Sequence, residues 1–182
     1  MFEADTYSLI FRYLTNYLLL TAATKMDLDE QWMAQAIAAA REAEALGEIP
    51  VGACVVSEDR LLALAGNRTR TDGDPTAHAE VVALRAAAKV IGNYRLTNTV
   101  VYSTIEPCAM CAGALIQARV QRLVYGAPDE RAGAVESRFR ICDSEFLNHR
   151  MELTTGVLEE ECRRLMQDFF RTRRAEREAE TG

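Results

Sequence analysis

Thr99-Val100-Val101-Tyr102-Ser103-Thr104-Ile105-Glu106-Pro107-Cys108-Ala109-Met110-Cys111 passes from a β-branched apolar run, through a proline, to two cysteines three apart. Thr99 to Ile105 reads as a buried strand, and the helical pattern resumes over Ala109 to Ala118. The Pro-Cys pair therefore sits at a strand-to-helix junction. Upstream, Asn67 to Thr76 is a polar loop holding Gly73 and Pro75. Ala77 to Ile91 is alanine-rich with Val81, Leu84 and Ala88 on one face, so a second helix starts almost at His78.

Outward from this centre the chain alternates regularly. Asp29 lies just ahead of a helical run from Trp32 to Leu46, closed by Gly47. Val51 to Val56 and Leu61 to Ala65 read as a hairpin turning at Ser57 to Arg60. Gln121 to Gly126 and Met151 to Val157 are further strands, with a loop region and room for one short helix over Pro128 to Asn148. Glu159 begins a last helix that runs through Phe170 into an arginine-rich end. The order α-β-β-α-β-α-β-β-α predicts an α/β fold, a three-layer α/β/α sandwich around a mixed sheet of about five strands. Strands separated by helices favour parallel pairing in the second half, and the direction of the last strand stays open.

At 182 residues and 49% apolar content, one domain is expected over residues 26–182, with residues 1–25 as an extension whose removal leaves activity intact. Ser8 to Leu20 is apolar but too short and interrupted by Arg12 and Asn16 for a membrane span. Glu3 and Asp5 stand where a secretory signal carries positive charge. The net charge of −6 excludes bulk electrostatic gripping of nucleic acid, so any such contact needs a local basic patch. Five cysteines, an odd count without dense spacing, point to a reducing, cytoplasmic compartment rather than a disulfide scaffold.

His78-Ala79-Glu80 and Pro107-Cys108-Ala109-Met110-Cys111 each place metal donors at the first turn of a predicted helix. Cysteines three apart share a helix face, so both sulfurs can reach one ion at about 2.3 Å, with His78 as third ligand. The fourth position stays open to water, as in catalytic rather than structural zinc. Exposed N–H groups at the helix start favour the thiolate. Glu80, two residues past His78, is placed to move a proton between water and a leaving nitrogen. A lone Cys-x-x-Cys also suits a redox pair or half of a structural zinc site, but no second such pair exists to close one. Cys54, Cys142 and Cys162 read as small buried residues, and His149 has no partner at ligand spacing.

His-Ala-Glu followed by Pro-Cys-x-x-Cys resembles the signature of the cytidine-deaminase-like superfamily. The longer strings Asp74 to Glu80, Asn93-Tyr94-Arg95-Leu96, Glu106 to Ala114, Asn148-His149-Arg150 and Asp168-Phe169-Phe170-Arg171 resemble the bacterial tRNA-specific adenosine deaminases, with similarity from about Trp32 to Arg174. Free cytidine deaminases usually carry cysteine at the place of His78. The resemblance implies one zinc ion per subunit on His78, Cys108 and Cys111, Glu80 as proton shuttle, and hydrolysis of adenosine to inosine at the wobble position of a tRNA anticodon. It also implies a homodimer with RNA contacts from both subunits. By motif position Asn67 would hydrogen-bond the target base, Asp129 and Asn148 would contact the nucleotide and its neighbours, and the backbone N–H of Cys108 would steady the developing oxygen.

Six arginines between Arg163 and Arg177 form the one dense basic run, and Arg173 and Arg174 are expected on the RNA backbone; the alternative is a solvated helix end. Pro128 and Glu136 depart from the arginine and glycine familiar in the bacterial members. Competing functions are deamination of a free nucleobase or nucleotide (guanine, cytosine, dCMP), and a non-catalytic partner keeping zinc for structure.

Overall fold

The computed structural model describes residues 26–181, so the expectation for residues 1–25 lies outside the described residues. Helix α1 covers 26–45, followed by β1 (Gly52–Ser57) and β2 (Arg60–Gly66). The chain continues through α2 (Ala79–Ile91), β3 (Val100–Ile105), α3 (Ala109–Ala118), β4 (Arg122–Ala127), β5 (Glu152–Thr155) and α4 (Glu159–Thr181). The sheet runs β2-β1-β3-β4-β5, and β1 is antiparallel to both β2 and β3. The β3–β4 and β4–β5 pairs are parallel. The mixed five-stranded α/β/α sandwich is thus the expected one. Glu58 and Asp59 both take positive φ, which gives the hairpin loop the twist its strands need.

Side chains alternate along each strand, and the two faces bury different helices. Ala53, Val55, Val101, Leu123 and Tyr125 pack with Ala83 and Leu84 of α2 and Leu115 and Ile116 of α3. Cys54, Val56, Tyr102 and Val124 pack on the other face with Met33, Ala36 and Ile37 of α1 and Cys162 of α4. Gly52 lets α1 press on the sheet, since a Cβ there would lie 1.9 Å from the Ala36 carbonyl oxygen.

Two local expectations are corrected. Asp29 lies inside α1 rather than ahead of it, where its buried carboxylate accepts hydrogen bonds from Tyr102 Oη (2.8 Å) and Arg122 Nη1 (3.0 Å). The 128–151 connection contains no helix; it joins parallel strands by irregular chain whose N–H groups bond to side chains and turns.

Arg122 also donates to Thr154 Oγ1, so one guanidinium joins α1, β4 and β5, and Tyr102 adds β3 through Asp29. Arg122→Met strands the Asp29 carboxylate and is expected to cost about 3–5 kcal/mol in chemical denaturation, most of it recovered in Asp29→Leu/Arg122→Met. A single-variant loss below about 1 kcal/mol, the surface-pair range, would show the pair to be well solvated.

Candidate active site

Two helix starts meet beyond the C-terminal end of the central strand β3. His78 precedes α2 and Cys108 precedes α3, both in extended conformation (φ −69°, ψ 151° and φ −70°, ψ 173°). Asp74 shapes the turn into α2, accepting the Thr76 N–H (2.8 Å) and hydroxyl (2.7 Å). Asn67, from the end of β2, caps α2 from outside, its Oδ1 taking the Ala79 N–H at 2.9 Å.

His78 Nδ1 lies 3.7 Å from Cys108 Sγ and 3.5 Å from Cys111 Sγ, and donor atoms of the three residues lie within 4.8 Å of one another. Zinc bonds of about 2.0–2.3 Å at tetrahedral angles put nitrogen and sulfur donors about 3.5 Å apart, so the donor set fits that ion. Hydrogen bonds from Cys111 and then His78 pull the Cys108 thiol down to about 3, while holding that proton, together with burial, pushes Cys111 up.

Glu80 is 3% exposed, and burial raises its pKa above the usual carboxylate range. Its Oε2 is, among the described residues, the buried side-chain oxygen or nitrogen left without a hydrogen-bond partner. A buried acceptor in that state costs stability unless a ligand, water or cation answers it, so Glu80 is poised for something the chain does not itself provide.

These groups open into a cavity of about 610 Å³ lined by Asn67, His78, Glu80, Cys108, Asp129 and Phe170, a size suited to a nucleobase and its sugar. Asn67 and Asp129 thus line the same cavity as His78, Glu80 and Cys108. Asn148 does not: Arg119, the C-cap of α3, donates to its carbonyl (2.7 Å) and its Oδ1 (3.0 Å) at the far end of that ten-residue helix. Arg173, itself exposed, donates to the Gly47 carbonyl at 3.2 Å and lies over the Phe169 ring, and Arg174 is exposed on α4 as well. Of the two departures, Pro128 lines the cavity, and Glu136 accepts from Tyr125 Oη at 2.7 Å.

Sequence reading missed Thr69, Arg131 and Phe170 on the cavity wall. Only Phe170 carried a signal: in the Phe169-Phe170 pair one ring must face out, and the structure buries Phe169 (8%) and leaves Phe170 40% exposed.

A mixed sheet that presents an imidazole, two thiols and a buried carboxylate at two helix starts defines a zinc-binding deaminase domain. Residues 26–127 match the family described as the cytidine and deoxycytidylate deaminase zinc-binding region. The chain is 49% identical to the tRNA-specific adenosine deaminase of Haemophilus influenzae over 87% of its own length and 92% of that protein's. It is 40% identical to the enzyme of the same name from Bacillus subtilis, over 85% and 96%. Among solved structures, one from a study of A-to-I editing by tRNA:A34 deaminases superposes with a TM-score of 0.72 at 41% identity, covering 74% of this chain and 98% of that one. A guanine deaminase from Nitrosomonas europaea superposes at 0.63 with 25% identity, over 77% and 83%. The chain belongs to the tRNA-specific adenosine deaminase family.

Proposed function

We infer that this protein is a zinc-dependent hydrolytic deaminase that converts adenosine to inosine at the wobble position of a tRNA anticodon. The carrying observation is the buried, unpartnered Glu80 Oε2 beside the His78, Cys108 and Cys111 donors in an open cavity. Zinc held by those three residues supplies Lewis-acid activation of water at neutral pH. The chain does the rest. Glu80 takes one proton as water adds to the purine carbon and passes it to the adjacent ring nitrogen, then takes the second from the added hydroxyl and passes it to the departing amino group, so ammonia leaves and a carbonyl replaces the amine. The cycle returns Glu80 to its starting state.

Asn67 has its carbonyl committed to Ala79, which leaves its NH2 end to donate to a base acceptor. The backbone N–H of Cys108, at the start of α3, is suited to the oxygen that gains charge. Phe170 at the mouth offers a face on which a splayed-out base can stack. Asp129 at the wall and Arg174 on the exposed face of α4 are proposed RNA contacts; Arg173, engaged with Gly47, is proposed to contact RNA only through its remaining donors.

We further propose a homodimer, the form in which Asn148 serves a neighbouring subunit's RNA surface rather than its own cavity. The support is its position behind Phe146 and Leu147, 91% and 41% exposed. A monomeric mass in solution would remove this part. Among the described residues no helix is long and apolar enough to cross a membrane, and Cys54, Cys142 and Cys162 are free and buried, which suits the reducing cytoplasm.

The purified protein is expected to deaminate an anticodon stem-loop carrying adenosine at the wobble position and to leave free adenosine, guanine and cytosine untouched. Mass spectrometry of the RNA reads the inosine. Turnover of a free base alone would transfer the protein to the nucleobase deaminases.

A further inference from the structure

Irregular chain faces a physical problem at the cavity rim. Residues 128–137 belong to no strand or helix, so their backbone N–H groups find no ladder and still need partners when buried. Four of them converge on one carboxylate. Glu106 Oε1 accepts the N–H groups of Val135 (3.0 Å), Glu136 (2.8 Å) and Ser137 (2.9 Å). Glu106 Oε2 accepts the Asp129 N–H (3.0 Å) and the Ser137 hydroxyl. Glu106 is 2% exposed, and although burial opposes it, this set of donors keeps its pKa below the usual carboxylate range. Asp129 in turn spends Oδ1 on the N–H groups of Arg131 (2.9 Å) and Ala132 (3.2 Å), which closes the turn facing the cavity. The fit is tight: a Cβ on Gly133 would lie 2.3 Å from Glu106 Oε2 and 2.6 Å from the Asp129 carbonyl oxygen.

We infer that Glu106 is a positioning residue for substrate: by gripping both ends of segment 129–137 it sets where Asp129, Glu130 and Arg131 stand against the cavity. Its consequence for substrate rests on the deaminase reading; its hold on the segment does not.

A second buried carboxylate gives an internal contrast. Glu48, fully buried, holds the opposite rim, Oε1 accepting from Arg70 N–H (2.8 Å) and from the Thr71 N–H (2.7 Å) and hydroxyl (2.9 Å). Its Oε2 faces only the Thr69 hydroxyl, at 3.1 Å. A hydroxyl both donates and accepts, so glutamine satisfies that site with its NH2 toward Thr69. At Glu106 both oxygens face main-chain N–H groups, and glutamine must set its NH2 against a donor whichever way it turns. The two sites should therefore respond differently to one isosteric change.

The test uses full-length, zinc-loaded protein carrying Glu106→Gln, Glu48→Gln or Gly133→Ala. Steady-state deamination of the anticodon stem-loop, zinc stoichiometry and amide hydrogen exchange are measured together. Glu106→Gln is expected to raise KM about tenfold or more with kcat within about threefold and zinc retained, because a displaced rim weakens substrate placement without touching the proton shuttle. Amides at 129–137 should exchange faster while those of α2 and β3 keep their protection. Gly133→Ala should give the same split with the carboxylate intact, and Glu48→Gln should shift KM and rim exchange far less than Glu106→Gln does. The inference is overturned by a fall in kcat and zinc content at unchanged KM, by unaltered exchange over 129–137, or by equal responses of the two glutamine variants. Absence of wild-type turnover on RNA would sink the deaminase reading instead, and the exchange comparison would still decide whether Glu106 holds the segment.

Discussion

Glu80→Gln is expected to lower deamination by about 10²–10⁴-fold, the range a well-placed general acid–base contributes. At the midpoint this is about 4 kcal/mol of transition-state stabilisation. Zinc content should stay at the wild-type level, because Glu80 is outside the donor set of His78, Cys108 and Cys111. The side chain is also a burial liability: its Oε2 lacks a partner and its pKa is raised by desolvation. A neutral isostere relieves that burden, so thermal stability of the metal-free protein should hold or rise while activity collapses. Measuring rate, zinc and melting midpoint on one preparation separates the reading from simple damage. A residual rate within tenfold of wild type would mean that another group moves the proton.

Cys111→Ala carries the second large effect. Cys111 is fully buried and contributes one of the three donors, so its loss leaves two ligands around an ion that needs at least three. Zinc occupancy is expected to fall below about a tenth of wild type, with the loss of stability that metal binding supplies through linkage. With free zinc a thousandfold above its dissociation constant that linkage is worth about 4 kcal/mol. Chelated wild-type protein and the variant should therefore melt close together, and Cys108→Ala should behave alike. Full zinc occupancy in either variant contradicts the ligand assignment.

The two helix starts were legible because helical spacing is local. Cys108 and Cys111 share a face by being three apart, and the Ala77–Ile91 pattern begins at His78, so a common ion follows once both helices start at one end of the sheet. The five strands were legible for the same reason. The parallel direction of β5 was not, because the 128–151 connection has no period to read and no helix to impose a crossover. Asp29 was placed just ahead of the first helix by its neighbours and became a buried ion-pair partner of a residue 93 positions away. Asn148 carried motif resemblance and Arg173 belonged to a basic run, but Arg119 and Gly47 decide where they point. No local pattern assigned Glu48 or Glu106 a structural role; only folding reveals the donors gathered on each.

From the order of its residues alone, this chain specified a mixed α/β sandwich and a set of metal donors with a carboxylate two residues beyond the histidine. Tertiary structure decided which loops close around that centre, which charged groups are spent on holding them, and which remain for substrate. The difference is one of range: periodicity and helix-start chemistry act between residues a few positions apart, whereas a buried carboxylate is satisfied by whichever backbone N–H groups the finished fold brings to it.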